Sequence, residues 1–311
     1  MTPNNAIQTS NLTRHFQTIR AVDHLSFEVP SGIVFGFLGP NGSGKTTTIR
    51  LLLGLLEPSR GRSEVLGYDT STQSDQIRQK CGAILEHHGL YERLSAEDNL
   101  EFYGRVWHIS ASDRQSRIKE LLTHLDLWDR RKEITGTWSR GMKQKLAFAR
   151  TLLHRPSLVF LDEPTAGLDP VAAAALREDL AGMAGREGLT VFLTTHNLAE
   201  AEKLCQHVAV IRQGKLLAIG SPETLRTQGS KPRLEIRGRS FSQALLTELR
   251  ARTETASLIQ SDHQLTIELK EVTDVYPLVN LVVQSGAQVE EVIKSKASLE
   301  DVFLTLMEED K

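Results

Sequence analysis

Through residues 1–228, short apolar runs alternate with stretches that have helical periodicity. Residues 33–38, 158–161 and 190–195 are apolar nearly throughout and too short for helices. They read as buried strands of a parallel sheet, and the alternation predicts an α/β domain. The pattern changes at Gln228-Gly229-Ser230-Lys231-Pro232, a turn-rich linker. Beyond it, Leu234 and Ile236 alternate with charges as on a strand, and residues 241–252 have helical spacing. Leu265, Ile267 and Leu269 alternate again, residues 277–285 form a second helix opened by Pro277, and 289–293 form a last strand. Ser298 then caps a closing helix containing Leu299, Val302 and Phe303. The expected division is 1–228, with a helical subdomain at about 87–155, followed by a small α+β domain at 229–311. The order in that second domain is close to βαββαβ, a ferredoxin-like arrangement, plus one helix.

Composition narrows the possible classes. The chain has 311 residues, 40% hydrophobic and 24% charged, enough to build a core in each of two domains. A formal net charge of -2 provides no basic field for nucleic acid, so no nucleic-acid partner is expected. Cys81 and Cys205 stand far apart, which argues against a disulfide or zinc framework. No run approaches the roughly 18 apolar residues of a membrane span, and residues 1–10 lack a signal pattern.

Chemistry first appears after the run 33–38. Gly39-Pro40-Asn41-Gly42-Ser43-Gly44-Lys45-Thr46, followed by Thr47, matches G-x-x-x-x-G-K-[ST] between a strand and a helix. Glycines let the backbone curl so that its N–H groups face phosphate oxygens, and the helix start adds partial positive charge. Lys45 would neutralise the β- and γ-phosphates and the Thr46 hydroxyl would bind Mg²⁺.

The run 158–161 ends in Asp162-Glu163, at the strand end where such sheets bind ligands. Asp162 would hold Mg²⁺ through its water shell, and Glu163 would polarise an attacking water as general base. His196 follows the run 190–195. A neutral imidazole there could orient the γ-phosphate or the water.

Together these residues resemble the ATPase subunits of ABC transporters, over about residues 12–226. Leu161-Asp162-Glu163-Pro164-Thr165-Ala166-Gly167-Leu168-Asp169-Pro170 is similar to the family's acidic strand end and D-loop, and Thr195-His196 to its switch histidine. Trp138-Ser139-Arg140-Gly141-Met142-Lys143-Gln144 falls where the family has Leu-Ser-Gly-Gly-Gln at a helix start, with Ser139 and Gly141 retained. The resemblance implies binding of ATP with Mg²⁺. It places Phe16 against adenine, Glu86 at the Q-loop position beside Mg²⁺, and Ser139, Gly141 and Asp169 at the nucleotide. Arg140 departs from the family pattern. Its side chain is expected to point to solvent, with backbone N–H groups serving the phosphate.

The resemblance further implies that two copies, or this chain and a homologous ATPase subunit, close over two ATP molecules. They would work peripherally on the cytoplasmic side of the cell membrane, against an integral membrane permease subunit. Tyr91, Leu94, Leu100, Phe102 and Tyr103 are candidates for that contact. The second domain and residues 298–303 resemble the ABC-2 exporter branch. Two alternatives stay open: a soluble ABC ATPase, and an ATP-dependent switch that hydrolyses slowly.

Overall fold

The computed structural model describes residues 5–229, 232–270, 274–295 and 298–308. Ser230 and Lys231 of the expected linker lie outside them. The chain divides into two compact units, Met1–Ser221 and Pro222–Lys311.

The first unit is built on a six-stranded sheet. Its order is Lys215–Gly220, His207–Arg212, Val34–Leu38, Thr190–Thr195, Leu158–Asp162, Cys81–Ile84. The last five run parallel, and only Lys215–Gly220 is antiparallel to its neighbour. Val34–Leu38 and Thr190–Thr195 are buried at every position, as their unbroken apolar character requires. A second, antiparallel sheet joins Asn5–Phe16 with Ile19–Leu25, Glu28–Pro30 and Arg60–Val65, the last paired with Tyr68–Asp69.

One hydrophobic cluster draws on both sheets and on the helix Lys45–Leu52. Phe27, Phe35, Phe37 and Phe192 lie with ring centroids 5.3–6.4 Å apart. Phe35, Phe37 and Phe192 are fully buried, each stabilising the fold by roughly 2–3 kcal/mol against an exposed ring. This packing fixes the central strands, and with them the loops at their C-terminal ends.

Between Cys81–Ile84 and Leu158–Asp162, the second and third strands of this sheet in chain order, lies a helical region: Ala96–Val106, Ala111–His124 and Arg140–Leu152. Each helix is capped by the serine before it. Ser95, Ser110 and Ser139 accept from the backbone N–H groups of Asp98, Asp113 and Met142.

The second unit carries a four-stranded antiparallel sheet in the order Thr255–Ser261, Gln264–Leu269, Arg233–Arg239, Gln288–Ser295. With helices Gln243–Ala251 and Tyr276–Gln284 this is a βαββαβ ferredoxin-like arrangement. Leu234, Ile236, Leu265, Ile267 and Leu269 from the strands pack with Leu245, Leu249, Leu278 and Val282 from the helices. Ser298 Oγ accepts from the Asp301 backbone at 3.1 Å and Asp301 accepts from the Ser298 backbone at 2.9 Å, a capping box on Leu299–Glu308. The unit begins at Pro222, ahead of the turn-rich 228–232, because helix Pro222–Gly229 packs against Leu299–Glu308.

Candidate functional site

The loop after Val34–Leu38 curls through two left-handed glycines, Gly42 (φ 79) and Gly44 (φ 104). At Gly44 a Cβ would run into the Ala21 carbonyl, so no other residue fits the turn. Helix Lys45–Leu52 starts immediately after it, and its first-turn N–H groups have no intrahelical acceptors. Lys45 Nζ is drawn back over the loop and donates to the carbonyls of Gly39 at 2.8 Å and Pro40 at 3.2 Å. Ser43 Oγ is buried and has no hydrogen-bond partner in the loop as it stands.

The strand Leu158–Asp162 brings its carboxylates to the same place. Thr46 Oγ1 donates to Asp162 Oδ2 at 2.6 Å. The other Asp162 oxygen accepts from the Thr194 hydroxyl. Glu163 takes a left-handed conformation, φ 51. Its N–H is held by both the carbonyl and the hydroxyl oxygen of Thr194, each at 3.1 Å. A side chain with a Cβ in that region is strained and persists only where its neighbours over-determine it. The Glu163 carboxylate stands 3.3 Å from Lys45 Nζ and 2.7 Å from His196 Nδ1.

These groups border a cavity of 370 Å³. Asn41, Gly42, Gly44, Lys45, Thr46, Thr47, Glu86, Asp162 and Glu163 line it. Gly39, Pro40, Ser43 and His196 lie outside the lining, yet Gly39, Pro40 and His196 bond directly to Lys45 or Glu163. Glu86 is exposed and pairs with Arg50 at 3.3 Å.

Other expected residues sit elsewhere. Phe16 is 41% exposed at the end of its strand, under the Arg14 guanidinium at 4.8 Å, so it is no core residue. Ser139 caps helix Arg140–Leu152, and Gly141 faces Ala172. Asp169 caps helix Pro170–Glu187, accepting from Val171 and Ala172 at 3.0 and 2.9 Å. Arg140 is solvent-exposed but lies along the protein surface. Its guanidinium rests over Gly167 (φ 71), where a Cβ would overlap it, and it lines the cavity. The flat, side-chain-free surface of a glycine supplies that seat.

Three lining or supporting residues were not singled out by pattern. Thr194 anchors both carboxylate residues, Gln144 is a buried wall of the cavity, and His88 is a half-buried one. Burial, then the charges of Arg140, Lys143 and Arg150, hold the His88 imidazole below its ordinary value. Only its place beside the Q-loop position could have drawn attention to His88. Of the candidates for the permease contact, Tyr91 and Phe102 are exposed and meet edge-on at 4.9 Å, with Tyr103 beside them, whereas Leu100 is core.

The ABC transporter family profile matches residues 22–166. The bacitracin transport ATP-binding protein BcrA of Bacillus licheniformis is 34% identical over 97% of this chain and 97% of its own length. The daunorubicin resistance ATP-binding protein DrrA3 of Streptomyces coeruleorubidus is 34% identical over 98% and 97%. A solved ATP-binding subunit of an ABC transporter superposes with a TM-score of 0.65 at 31% identity, over 72% of this chain and 92% of that one.

Proposed function

The chain belongs to the ABC transporter family, as an ATP-binding subunit, and on that premise we propose that its hydrolysis of ATP drives export through a separately encoded membrane permease. The observation that carries the proposal is the meeting of Lys45, Asp162, Glu163 and His196 at the C-terminal ends of three adjacent inner strands of the parallel sheet. The likeness to the bacitracin and daunorubicin proteins runs through the second unit, which supports the export branch.

ATP would lie with its phosphates on the loop 39–47. The loop's N–H groups and Lys45 take the phosphate charge, and Ser43 Oγ, buried and unbonded, is available to a further oxygen. Thr46 and Asp162 present hard oxygen donors side by side, a set that suits Mg²⁺, with Glu86 as a further carboxylate on the cavity wall. Mg²⁺, when bound, supplies neutralising charge to the phosphates.

Glu163 accepts a proton from water as the water oxygen bonds to the γ-phosphorus. The bond from that phosphorus to the β–γ bridging oxygen breaks, and ADP and phosphate result. His196 holds Glu163 in place, and its exposed ring is free to turn toward the γ-phosphate. The direct Glu163–His196 contact favours turnover over a switch that only binds ATP.

Ser139 and Gly141, at a capped helix start, would meet the nucleotide of a second ATPase subunit, with Asp169 close to that junction. Phe16, half-exposed on a strand end, is offered to adenine. No helix among the described residues is long and apolar enough to cross a membrane. As the ATP-binding partner of a permease, the chain would act peripherally, on the cytoplasmic side, with the exposed Tyr91–Phe102 pair against the permease.

Glu163→Gln should bind ATP, accumulate as an ATP-bound dimer in gel filtration, and turn over at least ~100-fold slower, as for loss of a general base. Lys45→Ala should lose tight ATP binding in equilibrium dialysis. An unchanged rate in the first variant, or unchanged affinity in the second, would refute the assignment.

A further inference from the structure

One buried carboxylate has no task in this scheme. Glu200 is 5% exposed, on the short helix Leu198–Leu204 that follows His196. A buried charge is tolerated only where it is paired or hydrogen-bonded. Asn197 and Glu200 have the spacing of a capping box, in which the glutamate would turn back to the cap residue's own N–H. Only half of that box forms. Glu200 N donates to Asn197 Oδ1 at 3.1 Å, but the Asn197 N–H goes to Thr195 Oγ1 at 3.0 Å.

The Glu200 carboxylate instead leaves its helix. Its Oε2 accepts from the Thr165 hydroxyl at 2.6 Å, and its Oε1 lies 3.7 Å from Arg177 of helix Pro170–Glu187. Thr165 stands two residues beyond Glu163, inside a turn closed by Ala166 N to Glu163 O at 3.0 Å and Leu168 N to Thr165 O at 3.1 Å. Glu200 thus ties the segment bearing Glu163 to the helix that begins just after His196. Glu163 needs such support, because its left-handed backbone relaxes once its surroundings loosen.

We propose that Glu200 is a positioning residue for hydrolysis, holding through Thr165 the turn that sets Glu163 against His196. The proposal rests on Glu163 as the general base. Neither Glu200 nor Thr165 lines the phosphate cavity. Losing their bond should therefore disturb turnover and spare nucleotide affinity.

The test is steady-state hydrolysis by the full chain, with melting temperatures measured alongside, for Thr165→Val, Thr165→Ser, Glu200→Ala and the Glu200→Ala/Thr165→Val pair. Glu163→Gln serves as reference. Thr165→Val should lower kcat at least ~10-fold while KM for ATP stays within about threefold, because a small misplacement of a catalytic group is enough. Thr165→Ser, which keeps the hydroxyl, should stay within about threefold of wild type. The pair should be no slower than Glu200→Ala alone, since both changes delete one bond.

Wild-type turnover in Thr165→Val beside an inactive Glu163→Gln would overturn the proposal. So would additive losses in the pair, or losses of kcat and affinity that move together with the melting temperature. Glu163→Gln running at the wild-type rate would remove the assignment of the base and this inference with it.

Discussion

Side chains at this site divide by how far in sequence their partners lie. The phosphate loop and the strand-end carboxylates are legible because each needs residues a few positions apart, and local spacing encodes that. Contacts such as Lys45 to Glu163, Thr165 to Glu200 and Arg140 over Gly167 leave no local trace, because the sheet brings them together. Glu86 illustrates what a sequence position alone omits. It replaces the family's usual amide, and its carboxylate is engaged by Arg50 at 3.3 Å with both groups well exposed. Exposed pairs of this kind contribute about 0–1 kcal/mol. Glu86→Gln should therefore change urea stability by less than about 1 kcal/mol and leave hydrolysis intact or raised, since it also removes a negative charge near phosphate. A collapse of the rate would mean that the carboxylate itself is required.

Several helices of the first unit announce themselves through their caps, as Ser139 does before Arg140–Leu152, whereas Lys45–Leu52 and Ser74–Lys80 have no side-chain cap. Strands with one exposed face are harder to see. Thr255–Ser261 has only Thr255 buried, lacks clean alternation and pairs with Gln264–Leu269 across a two-residue turn, so the pattern does not locate the residues of this strand of the expected βαββαβ order. In the helical region, Ala96–Val106 and Ala111–His124 are joined by Glu101. Arg114 grips its carboxylate with two bonds of 2.6 and 2.8 Å, and Arg105 adds a third at 2.9 Å. The Arg114 bonds, helped by Arg105 and opposed by burial, hold the Glu101 carboxyl below its usual 4.5. A depressed folded-state value adds stability that is complete above the unfolded value and is lost as pH falls through the folded one. Glu101→Gln should accordingly lower the urea midpoint at pH 7, and its gap from wild type should close below about pH 4. A gap that is constant from pH 7 to 3 would contradict this coupling.

At the scale of the whole molecule, each unit has its own core. The cluster around Phe35 and Phe192 is drawn from the first unit alone, and that around Leu234 and Leu265 from the second alone. Both fold classes are readable, since strand and helix periodicities are properties of short windows. The division falls earlier than the turn-rich segment suggests because helix Pro222–Gly229 is held by a partner some 70 residues later, Leu299–Glu308. A fragment of residues 1–221 should melt cooperatively by circular dichroism and retain ATP affinity in equilibrium dialysis. An insoluble fragment would show that the first unit depends on the second. The strand order has a further consequence, in time. Val34–Leu38, which leads into the phosphate loop, lies between Thr190–Thr195 and His207–Arg212. A ribosome adding about 5–20 residues per second needs roughly ten to thirty seconds to pass from the first of these strands to the last. During that interval an unpaired apolar segment is displayed to chaperones and to other nascent chains. The nucleotide can therefore assist folding only after His207–Arg212 has emerged, while the second unit is still being translated.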